Sequence, residues 1–109
     1  MTTTEIKGLR IPKERAPTSL GALLLEEFLK PLGMTQTELA TRIRVPYVRV
    51  NEIVNGKRRV TPSTALRLAR VFGTSPEFWL NGQLVSDLYR TINDEKEIRV
   101  LEQIVPVPR

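Results

Sequence analysis

The sequence predicts an all-α fold of five helices, preceded by an N-terminal arm and followed by an extended tail. Apolar residues recur at helical spacings from Leu20 to Tyr89. Residues typical of helix starts and helix ends alternate along the same stretch. The length of 109 residues suits one compact domain. The predicted starts are Thr35, Thr61 with Pro62, and Ser75 with Pro76, and the predicted ends are Gly33, Gly56 and Gly73.

Three segments differ in composition. Residues 1–17 mix threonine, lysine, arginine and proline without helical periodicity, which predicts a flexible basic arm. Residues 18–90 are predicted to form the helical domain. Residues 91–109 contain a turn signal at Asn93-Asp94, many β-branched side chains and two prolines, so they are predicted to form an extended tail or edge strand.

The first two helices have well-marked ends. Helix one is predicted over residues 19–30, with Pro31 and Gly33 ending it. Its inner side is predicted to carry Leu20, Leu23, Leu24, Phe28 and Leu32. Helix two is predicted over residues 35–43, with Thr35 and Glu38 forming a reciprocal capping box. Its inner side is predicted to carry Leu39, Ala40 and Ile43.

A short turn, Arg44 to Pro46, separates helix two from a third helix over residues 46–55. The inner residues of this helix are predicted to be Val50 and Ile53, with Val54 partly so. Two short helices around a tight turn, followed by a basic loop, have the layout of a helix-turn-helix DNA reader. In that arrangement the second helix of the pair enters the major groove.

Helices four and five follow the two remaining start signals. Helix four is predicted to bury Ala65, Leu66, Leu68, Ala69 and Phe72. Helix five has two apolar stripes but only one core to face, and Gly82 is a possible break in it. We expect Trp79 in the core and a two-fold dimer on the remaining stripe. The predicted dimer residues are Leu80, Leu84, Val85, Leu88 and Tyr89.

Positive charge is concentrated on the helix-turn-helix segment. The whole chain carries a net +5. Residues 34–73 hold eight basic and two acidic residues, a net +6, whereas residues 74–109 hold four basic and six acidic residues, a net −2. This distribution is typical of a phosphate-binding surface, and the alternative is a solvated basic face without a partner.

The chain has no cysteine and no histidine. It therefore lacks thiolate and imidazole metal ligands and the commonest general base. The acidic pairs at Glu26-Glu27 and around Asp94 are interpreted as solvated faces, so we expect no metal, no cofactor and no enzymatic activity. The longest apolar run, residues 22–25, is too short to cross a membrane, and we expect a cytoplasmic protein.

Particular motifs resemble a known family. The segment from Gln36 to Gly56 resembles the lambda-repressor-like helix-turn-helix of the XRE/Cro type. The runs PLGMTQTELA, IVNGKRR, TPSTALRLA and GTSPEFWLN resemble its HigA-type, VapI-like antitoxin branch. Arg44 departs from that pattern, because the family usually carries glycine there. A left-handed Arg44 would cost about 1 kcal/mol, unless the turn uses another geometry.

The resemblance implies a function. Members of this branch are antitoxins of type II toxin-antitoxin modules, encoded beside a ribonuclease toxin of RelE-like fold. They bind and silence that toxin, and as dimers they repress their own operon, where they are nucleoid-associated. Two alternatives remain: a stand-alone phage-type repressor without a toxin partner, and an interaction module that does not bind DNA.

The candidate DNA-binding residues follow from the motif. Gln36 is expected to hold a phosphate at the start of helix two. On the groove-facing side, valine suits a thymine methyl, asparagine suits adenine and glutamate suits cytosine, while Arg49 suits a guanine or a phosphate. The loop after the third helix is expected to follow the DNA backbone. The candidates are Gln36, Thr37, Pro46, Tyr47, Val48, Arg49, Asn51, Glu52, Asn55, Lys57, Arg58 and Arg59.

Overall fold

The computed structural model of the protein describes residues 3–6, 9–12 and 16–108. Six helices lie in residues 16–108, one more than predicted, and the all-α helix-turn-helix domain is confirmed. The first helix is continuous through three parts, which are α1 (Leu20–Leu23), a π-helical segment (Leu24–Leu29) and α2 (Lys30–Leu32). The others are α3 (Gln36–Ile43), α4 (Tyr47–Val54), α5 (Pro62–Phe72), α6 (Pro76–Ile92) and α7 (Glu95–Gln103).

The N-terminal segment contains two strands, β1 (Thr3–Ile6) and β2 (Leu9–Pro12). They pair antiparallel, with Thr3 opposite Pro12 and Ile6 opposite Leu9. The sequence analysis predicted a flexible basic arm here and did not predict these strands. Threonine and isoleucine favour strands, and a two-residue connection keeps the pairing local. Lys7, Lys13 and Arg15 are basic residues of the predicted arm, and they lie outside the described residues.

The chain divides into two compact units, Thr18–Leu84 and the remaining residues at both ends. The largest fully buried side chains in the core of the Thr18–Leu84 unit, each at most 1% exposed, are Leu24, Leu29, Leu39, Val50, Leu68 and Trp79. The Trp79 indole N–H donates to the Thr74 hydroxyl at 2.7 Å, so its polar atom is satisfied. The predicted core position of Trp79 is confirmed.

The π-helical segment reverses the predicted burial of two leucines. Leu29 is 1% exposed and Leu32 is 61% exposed, whereas Leu32 was predicted to face inward. Pro31 has no N–H, and its ring would clash with the carbonyl four residues earlier in a regular α-helix. The wider π-turn, in which the Lys30 N–H donates to the Leu25 carbonyl, accommodates the proline and rotates the helix so that Leu29 packs inside.

Two glycines permit close packing of the first helix. A Cβ on Gly21 would lie 2.5 Å from the Ile53 carbonyl oxygen and against that of Val54, so α1 crosses the end of α4 in backbone contact. A Cβ on Gly82 would lie 2.8 Å from the Leu20 Cδ1. The predicted break at Gly82 is wrong, because α6 continues through it and the missing side chain accommodates Leu20.

The ends of α5 agree with the prediction, but one of its faces does not. The Thr61 hydroxyl caps the Thr64 N–H, and Gly73 ends the helix with φ of 72°. Ala65, Leu68 and Ala69 are buried as predicted. Leu66 was also predicted inside, yet 60% of it is exposed. Leu66 follows Ala65 by one position, so it lies at the edge of the stripe that Ala65, Leu68 and Ala69 form, and the sequence pattern does not distinguish this edge from the core.

The second unit contains the C-terminal helix. The predicted extended tail is wrong over Glu95–Gln103, which forms α7. The Asp94 carboxylate accepts from the N–H groups of Lys96 and Glu97, and mostly strong helix formers follow this cap. After α7, the described residues 104–108 form neither helix nor strand. No helix in the described part of the chain is long and apolar enough to span a membrane.

Candidate nucleic-acid interface

Helices α3 and α4 pack through a small apolar seam. Leu39, Ala40 and Ile43 of α3 are buried, as are Val50 and Ile53 of α4. The Thr35 hydroxyl accepts the Glu38 N–H at 3.0 Å, which confirms the predicted cap. The predicted reciprocal half of the capping box is wrong, because the Glu38 carboxylate pairs with Arg42 at 2.9 Å. An ion pair one turn ahead therefore replaces the contact back to the cap.

The turn between the two helices is centred on Arg44. Its φ of 62° and ψ of 48° are left-handed, as the glycine of the resembled family would be. The Arg44 N–H donates to the Thr41 carbonyl at 3.3 Å, and the Val45 N–H donates to the Ala40 carbonyl at 3.0 Å, both near the end of α3. From α5, the Arg67 guanidinium donates to the Ile43 carbonyl at 2.6 Å. Arg67 thus satisfies a helix-end carbonyl and fixes the turn.

The outer face of α4 carries the candidate base-reading side chains. Tyr47 is 48% exposed and Val48 is 61% exposed, while Arg49, Asn51 and Glu52 are half-buried at its edges. The helix begins after Pro46, which offers no capping side chain. The N–H groups of Tyr47 and Val48 can therefore donate to an anion, and the helix dipole favours one there.

A chain of amide hydrogen bonds joins α3 to α4. The Asn51 Nδ2 donates to the Gln36 Oε1 at 3.0 Å, across the two helices. The Asn55 Nδ2 donates to the Asn51 carbonyl at 2.9 Å and to the Asn51 Oδ1 at 3.2 Å. The Tyr47 hydroxyl lies 3.4 Å from the Asn51 Nδ2. Asn51 is thus held from three sides, and its amide keeps acceptor capacity on Oδ1.

The loop after α4 is tied to the recognition face by an ion pair. The Arg58 Nε lies 2.9 Å from the Glu52 Oε1. Gly56, with φ of 72°, turns the chain so that the Lys57 N–H reaches the Glu52 carbonyl at 2.8 Å. Glu52 therefore orients the basic loop, in addition to any contact with a base. Lys57, Arg58 and Arg59 are exposed beside α4.

The structure brings most predicted DNA-binding residues onto one contiguous path. Gln36 and Thr37 start α3, and Asn55 to Arg59 form the loop after α4. The start and outer face of α4 are formed by Pro46, Tyr47, Val48, Arg49, Asn51 and Glu52. Sequence reasoning missed Arg67 and the Gln36–Asn51 bond, which join residues far apart in the chain. Each contact joins side chains or carbonyls of two different helices, so no pattern among neighbouring residues in the sequence indicates it.

The predicted dimer residues lie on α6 and differ in exposure. Leu84 is 42% exposed, whereas Val85, Leu88 and Tyr89 are half-buried. Leu80 packs against the core of the Thr18–Leu84 unit. Leu84 is therefore the most accessible apolar side chain of the set.

This fold and this polar face define a helix-turn-helix DNA-binding protein. The helix-turn-helix family model matches residues 25–79. The chain belongs to this helix-turn-helix family, in the branch that contains the HigA-type antitoxins and virulence-associated protein I. The family consists of transcriptional regulators and antitoxins, which are not an enzyme class.

Two curated relatives and one solved structure illustrate the similarity. Virulence-associated protein I of Dichelobacter nodosus is 42% identical over 81 residues, which is 74% of this chain and 75% of that protein. Antitoxin HigA-1 of Vibrio cholerae is 40% identical over 84 residues, 77% of this chain and 79% of that protein. The structure of Pseudomonas aeruginosa antitoxin HigA with the higBA promoter superposes with a TM-score of 0.78 at 30% identity, covering 84% of this chain and 99% of that one.

Proposed function

We propose that this protein is the antitoxin of a type II toxin-antitoxin module. It binds operator DNA as a homodimer and represses its own operon, and it neutralises a RelE-like ribonuclease toxin encoded by a neighbouring gene. Its place is the cytoplasm, on the nucleoid when the operator is bound. The observation that carries the DNA-binding half is the Asn51 network on the exposed face of α4, beside the basic loop.

The DNA contacts divide into base readers and backbone binders. Asn51 reads adenine: its Oδ1 accepts from N6, and the amide hydrogen that is not bound to Gln36, which lies by the Tyr47 hydroxyl at 3.4 Å, donates to N7. Val48 packs on a thymine methyl, and Tyr47 lies beside it. Gln36 and the first turn of α4 meet phosphates on the two sides of the groove. The remaining positive charge, on Arg49 and Lys57 to Arg59, neutralises the flanking backbone.

The dimer forms through the exposed stripe of α6. A two-fold axis there places two recognition helices on one side of the assembly, and the operator is a palindrome. The half-sites are separated by roughly 34 Å or a multiple of it. Support comes from the large apolar side chain of Leu84, which is 42% exposed in the single chain.

The toxin half is supported by similarity to proteins named as antitoxins, including HigA-1 of Vibrio cholerae. A ribonuclease must present a cationic surface to RNA, so acidic residues are its natural counterpart. In the Thr18–Leu84 unit, Glu27 is such a residue: it is exposed on the first helix. The C-terminal segment adds Asp94, Glu95 and Glu97.

One experiment tests both halves. The full chain is expressed with and without the product of the adjacent gene, and binding to the DNA upstream of its own gene is measured by fluorescence anisotropy across a salt series. We expect co-purification with the neighbouring product, rescue of growth inhibition by that product, and sequence-specific binding whose affinity falls steeply with salt.

The control is Asn93→Ala, an exposed asparagine at the end of α6, compared with Asn51→Ala on the recognition face. DNA binding without a toxic neighbour would identify a stand-alone repressor and overturn the antitoxin half. Toxin neutralisation without any specific DNA binding would overturn the repressor half.

A further inference from the structure

A basic cleft lies on the Thr18–Leu84 unit between the end of α3, the turn and α5. Its volume is about 650 Å³. No carboxylate lines it, and its polar side chains are all arginines. Its lining includes Arg42, Arg44, Arg67, Arg70, Leu66 and Val71.

One of the residues that line the cleft is an exposed apolar side chain. Leu66 is 60% exposed, in the middle of a helix whose other leucine, Leu68, is 1% exposed. Arg42 is paired with Glu38, and Arg67 is bound to the end of α3. The side chains of Arg44 and Arg70 make no hydrogen bond or ion pair within the described residues. Arginine is enriched at protein–protein interfaces, and an accessible leucine in the same cleft offers an apolar contact, so the cleft suits a protein partner.

Arg44 adds an independent observation. Among the residues that the structure describes, Arg44 is the one non-glycine residue with a positive φ. Glycine would adopt the same turn without strain from a Cβ. Strained residues cluster at functional sites, and here the strained residue is one of those that line the cleft.

The occupant must be acidic and must offer an apolar side chain. Residues 94–105 of this chain have that chemistry, with four acidic and two basic residues. Leu101 is 49%, Ile104 62% and Val105 80% exposed. The Thr18–Leu84 unit, by contrast, holds nine basic and five acidic residues, a net +4. A DNA phosphate would satisfy the arginines but would leave Leu66 without an apolar partner.

We propose that the cleft binds the C-terminal segment, residues 94–105, of a second copy of this chain. Carboxylates of that segment meet Arg44 and Arg70, and an apolar side chain covers Leu66. Between copies that belong to different dimers the contact is head-to-tail, and it links successive dimers. It is weak in free solution, because exposed ion pairs contribute little and salt screens them. Dimers held on adjacent operator sites would bind cooperatively through it.

The test uses a fluorescently labelled peptide of residues 94–109 titrated into the full chain without DNA. We expect saturable binding that weakens as salt rises. Arg70→Glu should weaken it at least tenfold, and Leu66→Ser should weaken it without changing its salt dependence. Lys57→Glu is the matched control, since Lys57 is an exposed basic residue outside the cleft. A peptide carrying Glu102→Arg should bind the Arg70→Glu chain better than it binds wild type.

Two results would overturn the proposal. One is equal peptide affinity for wild type, Arg70→Glu and Leu66→Ser, with circular dichroism showing that all three are folded. The other is no peptide binding to wild type while Arg70→Glu weakens a single-site operator duplex as strongly as Lys57→Glu does. The second result would make the cleft a nucleic-acid surface. A further variant is Arg44→Gly, which should keep the turn and raise the melting temperature. We expect it to bind the peptide more weakly, and this loss could not then be explained by a folding defect.

Discussion

Gln36 and Asn51 are joined by a hydrogen bond of 3.0 Å between side chains that start α3 and line α4. One residue is a candidate phosphate binder and the other a candidate base reader. The residue that would position the protein on the DNA backbone is therefore bonded to the residue whose amide would enter the groove. Asn55 holds the same amide from the next turn of α4, at 3.2 Å from its Oδ1.

Asn51→Ala should remove discrimination at one base pair of each half-site. A good bidentate contact to adenine is worth about 1–3 kcal/mol against other bases, so affinity for the preferred operator should fall roughly 5- to 150-fold. Affinity for unrelated DNA should hardly change. Gln36→Ala should produce a smaller loss of the same discrimination, because it frees the amide without removing it. The measurement is anisotropy with operators substituted at every position, and unchanged base preference in both variants would show that Asn51 does not read a base.

Lys57→Gln and Glu52→Gln should act in opposite directions on all sequences alike. Removing the Lys57 charge should lower the salt slope of log affinity by about 0.9 if it contacts one phosphate. Glu52→Gln removes a negative charge beside DNA and releases Arg58, now 2.9 Å away, to bind phosphate. We expect tighter and more salt-dependent binding to unrelated duplexes. Salt slopes between ~50 and ~200 mM measure both effects. A weaker Glu52→Gln protein with altered base preference would instead assign Glu52 to a base.

Arg44→Gly should stabilise the protein. The left-handed conformation at φ of 62° costs a residue with a Cβ about 1 kcal/mol, part of which the flexibility of glycine in the unfolded chain offsets. Gly73→Arg is the converse control, because Gly73 ends α5 with φ of 72° and has open space around it. We expect midpoint shifts of opposite sign in urea unfolding. A destabilised Arg44→Gly protein would mean that the Arg44 side chain makes a stabilising contact in solution.

Features set by neighbouring residues were predictable from the sequence. The Thr35 and Thr61 caps depend on a hydroxyl and an N–H three residues away. The glycine ends of helices depend on one left-handed residue, and burial of Val50 and Ile53 follows from helical periodicity. The same local reasoning found the candidate DNA-binding residues, since the motif is continuous in sequence.

Features that depend on distant partners were not predictable. The inversion of Leu29 and Leu32 results from how the helix accommodates Pro31, which could have ended it instead. The β-branched residues after Asp94 favour an extended tail, whereas the Asp94 side chain caps helix α7. These two local signals conflict, and the sequence alone favours the wrong one. In the contact between α1 and α4 the two backbones approach closely. Hydrophobic periodicity does not predict this distance, and the sequence indicates it only through Gly21.

Gly21→Ala should destabilise the protein strongly. The added methyl would meet two backbone carbonyl oxygens, of Ile53 at 2.5 Å and of Val54, and backbone cannot rotate away as a side chain can. Overpacking typically costs about 1–3 kcal/mol, and we expect the upper end. Gly82→Ala is the matched control in another helix. Its methyl would meet only the flexible end of Leu20, and alanine favours the helix by roughly 1 kcal/mol. Equal unfolding midpoints for the two variants would contradict the close crossing of α1 and α4.

Leu84→Glu should convert the proposed dimer to a monomer. At a two-fold interface each residue meets the same surface of its partner, so one substitution introduces two charges into an apolar contact. A desolvated, unpaired carboxylate is costly, and the apparent dimer dissociation constant should rise at least a hundredfold. Leu32→Glu is the control, because Leu32 is 61% exposed on the first helix, outside the proposed interface. Light scattering at micromolar concentration should give a dimer for wild type and Leu32→Glu and a monomer for Leu84→Glu. The monomer should also lose most of its affinity for a palindromic operator while keeping its affinity for a single half-site, since its recognition helix is unchanged. A Leu84→Glu protein that remains dimeric would place the interface on a surface that does not include this turn of α6.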